Sequence, residues 1–294
     1  IGDFDPEFVE QAIRQRFGDW KPAPAEPQPK AGPVSADARQ LDDVYIDPAL
    51  SERVTISRKG NWLDEPDTLA QRKENLLRQI GYGIINRRLL RRTREEDAPF
   101  RAASFGTGDI FKEGRSTELS IDTVDGKWRR GVIEAGLEYR SALTYGFTPE
   151  EVAEQIAIIR NAHANAAQGE ATRSNTQLLG AAQALVNDEQ VPVTPSGALT
   201  RLDAFIPEIT PDAVMGALRR DMIPLEAPLL RFQGRTPPAD GDKGLRQAWD
   251  QAMTAPIRAP ERKAAGSFGY TDFGAPGQVV SDTREPLLGI RTIR

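Results

Sequence analysis

Metal, acid–base and nucleophile chemistry lean on histidine and cysteine, and this sequence holds one histidine, His163, and no cysteine. The missing cysteines exclude disulfides, thiolate nucleophiles and thiolate-bound metals. One histidine cannot supply an H-x-x-E-H motif, a Ser-His-Asp triad or a two-histidine facial triad. His163 stands between Asn161-Ala162 and Ala164-Asn165 in a helical stretch. It reads as a surface or half-buried helical side chain, because a metal there would need carboxylates from elsewhere. Glu95-Glu96-Asp97 and Glu150-Glu151 read as solvated helix ends; acid–base work needs a cleft that perturbs their pKa values. Phe105-Gly106-Thr107-Gly108-Asp109 lacks the G-K-[ST] of a phosphate loop, and no G-x-S-x-G elbow occurs. No catalytic, cofactor-binding or metal residue is therefore named.

The densest charge cluster is Arg87, Arg88, Arg91, Arg92 and Arg94. Basic clusters bind nucleic acid when nothing neutralises them. Here Glu95, Glu96 and Asp97 follow at once, no aromatic residues interleave, and the net charge is −5. The cluster reads as a basic helix C-terminus, favoured by the helix dipole, with local ion pairs. No nucleic-acid partner is expected.

Periodicity gives the elements that must position any site. Asp5 can cap a helix opened by Pro6, with Val9, Ile13 and Phe17 on one stripe and a stop near Gly18. Pro22, Pro24, Pro27, Pro29 and Pro33 mark a semi-rigid linker. Val54 and Ile56 alternate with polar residues, as in a strand. The stretch 66–92 is the strongest helix, with Leu69, Leu76, Leu77, Ile80 and Ile84 on one face. Gly81 and Gly83 inside it cost roughly 1 kcal/mol each relative to alanine, so a neighbour packs closely there. Strands follow at 100–111 and 116–124, where Leu119 and Ile121 alternate with Ser120 and Asp122, and Asp125-Gly126 supplies a turn.

Helices then run over 127–145, from the Thr148-Pro149-Glu150-Glu151 capping box, over 174–186, and from Thr194-Pro195 and Thr210-Pro211. Beyond about residue 222 the chain is rich in proline and glycine, broken by one short helix near 244–253. The order predicts an α+β fold: a two-layer α/β roll whose mixed or antiparallel sheet is packed by helices on one face. The 39% hydrophobic content suffices for a core. No apolar run approaches the ~18 residues of a membrane span.

Several strings resemble the pitrilysin/insulysin-type metallopeptidases. Ile1-Gly2-Asp3-Phe4-Asp5-Pro6, with a helix ending Arg16-Phe17-Gly18-Asp19-Trp20, looks like the last strand and helix of their first domain. The run 75–89, from Asn75 through Gly81-Tyr82-Gly83 to Leu89, resembles their second-domain helix. Tyr145-Gly146-Phe147-Thr148-Pro149-Glu150-Glu151-Val152 resembles the helix start of that domain, and Ala171-Thr172-Arg173-Ser174-Asn175 is similar to long bacterial members. Asp272-Phe273-Gly274-Ala275-Pro276-Gly277 through Gly289-Ile290-Arg291 resembles the connector to a third domain.

The resemblance implies a second, non-catalytic domain that walls a peptide chamber and supports a zinc domain elsewhere in a parent protein that hydrolyses peptide bonds. It implies no zinc in this segment, with zinc in the parent, and as partners a peptide or protein substrate and sister domains. The family's arginine–tyrosine pair falls near Arg92–Phe100, with Phe100 where the tyrosine would stand. Phenylalanine has no hydroxyl to offer an oxyanion. The segments expected are 1–20 from the preceding domain, a linker at 21–40, the domain itself at 41–256 and a connector at 257–294. No signal peptide is visible, and both ends read as cut edges. Candidate chamber residues are Phe100, Phe105, Leu119 and Ile121. A periplasmic parent is implied by the bacterial members alone. The alternative is a partner-subunit scaffold without peptidase activity.

Overall fold

Along β4 (Gly114–Asp122) every second residue is buried, beginning at Arg115 and running through Thr117, Leu119 and Ile121. Successive strand residues point to opposite faces, so this strand has one covered face and one open face. The computed structural model describes residues 4–21, 23, 34, 41–259, 274 and 277–294, so most of the proline-rich stretch lies outside it. The chain divides into two compact units, Ile1–Pro260 and Glu261–Arg294.

The first unit contains α1 (Pro6–Phe17), β1 (Asp42–Ile46), β2 (Arg53–Asn61), α2 (Leu69–Arg92), β3 (Ala102–Ile110), β4, α3 (Trp128–Tyr145) and α4 (Pro149–Gln168). It continues with α5 (Asn175–Asp188), α6 (Pro195–Phe205), α7 (Pro211–Asp221), β5 (Leu229–Gly234) and α8 (Gly241–Thr254). The five strands form one mixed sheet in the order β1-β5-β2-β4-β3. Only the β1–β5 pair is parallel. In the second unit, β6 (Asp282–Arg284) pairs antiparallel with β7 (Arg291–Ile293), and all six residues are exposed. The fold is α+β, as the element order predicts.

The helix starts follow their caps. Asp5 accepts from the Glu7 and Phe8 amides, Thr148 and Glu151 complete a reciprocal capping box, and Thr194 and Thr210 cap helices that begin with proline. The expected close approach at the α2 glycines is present. A Cβ on Gly81 would stand 3.3 Å from Leu218 Cβ, and one on Gly83 would stand 2.6 Å from Gln155 Oε1. The glycines let α7 and α4 pack against α2.

Two strands of the five-stranded sheet are missing from the sequence reading. β5 lies inside the segment read as proline- and glycine-rich, yet Leu230 and Phe232 are fully buried between β1 and β2. β1 is a short edge strand whose first two residues are acidic, so its alternation is faint. The turn at Asp125-Gly126 joins β4 to α3. The β3–β4 hairpin instead turns through Phe111 and Lys112, whose φ values are 51° and 57°. Such a turn normally carries Asn or Gly, so its sequence gave no signal.

Four of the five clustered arginines are held by carboxylates, mostly on neighbouring helices. Arg87 and Arg91 pair with Glu154, and Arg92 pairs with Glu134 and Glu95. Arg88 is buried and holds Glu151 in a bidentate pair, 2.7 Å on each arm, while also donating to Gly146 O at 3.0 Å. Burial pushes the Glu151 carboxyl up, but Arg88 and the Thr148 amide outweigh it and the net shift is downward. Glu151 therefore caps α4 and ties it to α2. Glu151→Ala removes the bidentate partner of the buried Arg88, leaving it only Gly146 O and the Glu138 carboxylate 3.8 Å away, which costs about 3 kcal/mol. Urea denaturation checks this, with the loss appearing in the midpoint and the slope unchanged.

Candidate functional site

The covered face of the sheet carries Val54 and Ile56 from β2, Phe105 from β3, Leu119 and Ile121 from β4, and Leu230 and Phe232 from β5. Helices α2, α3 and α8 pack on it. Three of the four sequence candidates, Phe105, Leu119 and Ile121, lie here, and Phe100 is buried just before β3; all are 2% exposed or less. Their side chains reach the helical layer and not solvent. Sheet parity decides this: once Leu119 and Ile121 are buried under helices, the residues between them must face the other way.

That other face is hydrophilic and has no helix on it among the described residues. Its cross-strand rows run Thr55–Ser120–Ser104, then Ser57–Glu118–Gly106, then Lys59–Ser116–Gly108. These residues are exposed or half-buried. A Cβ on Gly106 or Gly108 would meet no atom within 4 Å, so the space above them is open. Arg53 pairs with Asp122 and Arg231 with Asp43 on the same face. Val34 lies beside Gly114 at one end of it. The result is a shallow surface of hydroxyls, glycines and paired charges.

β3 is the outer strand, so its far edge exposes backbone groups that could pair with another chain. Helix α2 closes the middle of that edge. Asn86 donates from Nδ2 to Phe105 O at 2.9 Å and accepts the Phe105 amide on Oδ1 at 2.7 Å. The side-chain amide thus occupies the place of a strand partner at Phe105.

At the Thr107–Asp109 end of this edge is a polar cavity of about 200 Å³, lined by Glu65, Arg78, Arg115 and Asp221 among others. Arg78 forms a bidentate pair with Glu65 at 2.6 and 2.7 Å. Arg115, on the covered face of β4, binds the Asp221 carboxylate at 2.6 Å. Tyr82 donates to Asp221 at 2.6 Å, since a carboxylate only accepts. Thr107 touches Tyr82 Oη at 2.6 Å and Thr117 Oγ1 at 2.7 Å, and Thr117 accepts the Ile223 amide at 2.7 Å. Burial, and then Asp221, push the Tyr82 phenol up. The Arg78 guanidinium holds Glu65 below the usual glutamate range.

Glu65 and Asp221 are paired with arginine, so the cavity presents held carboxylates, guanidinium groups and hydroxyls that can recognise polar groups. Sequence reasoning misses this cluster. Its one signal is Arg115, a charge at an inward position of an alternating strand. Among the described residues no group of three or more His, Cys, Asp or Glu is gathered that could hold a metal ion, and His163 borders a groove beside Arg72, Lys73 and Arg201.

No protein-family model and no curated protein sequence matches the chain. Its shape does match solved structures, and the fold is that of the insulinase-type, or M16, peptidase proteins. The periplasmic protease PqqL from Escherichia coli aligns at TM-score 0.74 and 12% identity, over 96% of this chain and 32% of that one. A predicted insulinase family protease from Yersinia pestis aligns at TM-score 0.64 and 13% identity, over 86% and 54%. A peptidase M16 inactive domain from Pseudomonas fluorescens aligns at TM-score 0.52 and 16% identity, over 81% and 53%. The chain spans about a third of the length of the E. coli protease. The resemblance seen in the sequence therefore holds at the level of the fold.

The site yields two predictions. Glu65 titrates low when folded, so its contribution to stability is present above the ordinary glutamate pKa of about 4.3 and is lost as pH falls below it. The gap in melting temperature between the wild type and Glu65→Gln should be widest near neutral pH and should close in acid. Asn86→Ala unpairs the Phe105 amide and carbonyl, costing about 1–3 kcal/mol. It also opens the β3 edge, so sedimentation velocity should show self-association that the wild type lacks.

Proposed function

We propose that the chain is a non-catalytic domain of a zinc metalloendopeptidase, and that its uncovered sheet face forms part of the wall of a peptide-substrate chamber. The observation that carries this reading is the open face of β2, β4 and β3. A wall that must pass many sequences should hydrogen-bond backbone without offering deep apolar pockets. Thr55, Ser57, Ser104, Ser116 and Ser120 do the first, and Gly106 and Gly108 leave room for a passing chain. Phe105, Leu119 and Ile121, with Phe100 beside them, support the wall from behind. Edge pairing along β3 is confined to positions away from Phe105, which Asn86 already holds.

The zinc and its general base belong to another domain of the parent, since His163 is this chain's single histidine. Sister domains are the expected intramolecular partners. Helix α1 supports this, for it has no buried residue and leaves Phe8, Ile13 and Phe17 exposed, as is Trp20 just after it.

Two measurements test the proposal. The purified chain should bind no stoichiometric zinc by elemental analysis and cleave no fluorogenic peptide; chelator-sensitive cleavage by it would sink the reading. In the parent protein, Ser120→Trp should lower kcat/KM for long peptides about tenfold while leaving melting temperature within a few degrees. An unchanged kcat/KM would remove the wall from the chamber, and a parent without peptidase activity would favour the partner-subunit scaffold.

A further inference from the structure

Helices α2 and α6 both pack on α4 rather than chiefly on each other. Between them lies a groove of about 470 Å³ on the helical side of the molecule. Its floor is apolar: Leu69 and Leu76 from α2, Leu202 and Phe205 from α6. Cations stand on both rims, Arg72 and Lys73 on α2 and Arg201 on α6. Glu208 is the single acid lining it, and it is held by Lys73, which also lies 4.7 Å over the Phe205 ring. Arg72 is paired with Asp67 and donates to Val191 O at 2.6 Å. Arg201 makes no ion pair within 4 Å and no hydrogen bond among the described residues, though its charge helps hold the Asp67 carboxyl low.

Apolar surface continues beyond the groove. Helix α5 buries none of its residues, and Leu178, Leu185 and Val186 on it are exposed, as is Val191 just after it. The Arg72–Val191 bond places the end of this segment beside the groove. On α2, Leu69 to Gln79 extends about 15 Å at 1.5 Å per residue, roughly three helical turns.

We infer that this groove docks an amphipathic α-helix of a partner protein whose apolar stripe is flanked by acidic residues. Two helices held apart over a third leave the space of a missing helix, and helix-in-groove binding uses apolar anchors at i, i+3, i+4 and i+7. Cationic rims on both sides select acidic flanks, with Arg201 the exposed charge that no carboxylate holds within 4 Å among the described residues. The surface lies on the opposite layer from the open sheet face, so it is independent of the chamber reading.

The probes are two labelled 16-residue helical peptides with the same leucine stripe, one flanked by glutamate and one by lysine. Fluorescence anisotropy with the full chain should show the acidic peptide binding at least tenfold more tightly, with affinity falling as salt rises. Arg201→Glu, an exposed change that should leave the circular-dichroism melt intact, should weaken the acidic peptide at least fivefold and strengthen the lysine peptide. Equal binding of both peptides, binding of neither, or indifference to Arg201→Glu would overturn the inference. So would displacement of bound peptide by dodecanoate at stoichiometric concentration, which would assign the groove to a small amphiphile. Self-association through this face, lost in Arg201→Glu, would assign it to a second copy and overturn it equally.

Discussion

Alternation along a strand is the constraint on which the rest of this structure depends. Leu119 and Ile121 leave β4 toward the helices, so Ser116, Glu118, Ser120 and Asp122 must leave it the other way. Pairing with β2 and β3 transmits that choice across the sheet. Val54, Ile56 and Phe105 join the covered side, while Thr55, Ser57, Ser104, Gly106 and Gly108 join the open one. A one-residue slip in either pairing would exchange the two sets. Burial of the apolar set is what prevents the slip.

The helical layer is then fastened by charge as well as by packing. Arg88, fully covered, joins α2 to the capped start of α4 through Glu151. Arg115 joins β4 to the end of α7 through Asp221, and Tyr82 of α2 completes that joint. Buried pairs of this kind add little net stability, but removing one partner is costly. They hold the orientation of α2, and α2 in turn carries Asn86 to the β3 edge. Asn86, which limits strand addition, is thus positioned by the Arg88 ion pair two residues on and the Tyr82 hydrogen bond about one turn back along the same helix.

Much of this was legible in the sequence, for identifiable reasons. Caps at Asp5, Thr148, Thr194 and Thr210 are local, so the helix starts could be read. Gly81 and Gly83 announced close packing because glycine inside a helix needs a compensating contact. The arginine cluster could be read as paired, but of the adjacent acids only Glu95 pairs with it, while Glu134, Glu151 and Glu154 come from α3 and α4. β5 could not be read, since its burial comes from partners more than a hundred residues away and proline surrounds it. The burial of Phe105, Leu119 and Ile121 under the helices could not be read for a related reason. Alternation shows that Leu119 and Ser120 face opposite ways but does not say which faces a chamber. Apolar residues suggested contact with substrate, whereas the folded chain spends them on its own core. Asn86, Tyr82 and Asp221 converge only through tertiary structure, and no spacing in the sequence joins them.

The central claim is that the hydroxyl-rich face of β2, β4 and β3 is the surface that meets peptide. Paramagnetic relaxation in the isotope-labelled chain, with a spin-labelled unfolded peptide, tests it most directly because weak encounters still broaden nearby amides. The account predicts broadening concentrated on Thr55, Ser57, Ser104, Gly106, Glu118 and Ser120, with helices α3 and α8 unaffected. Broadening confined to the helical layer, or spread evenly over the surface, would contradict it.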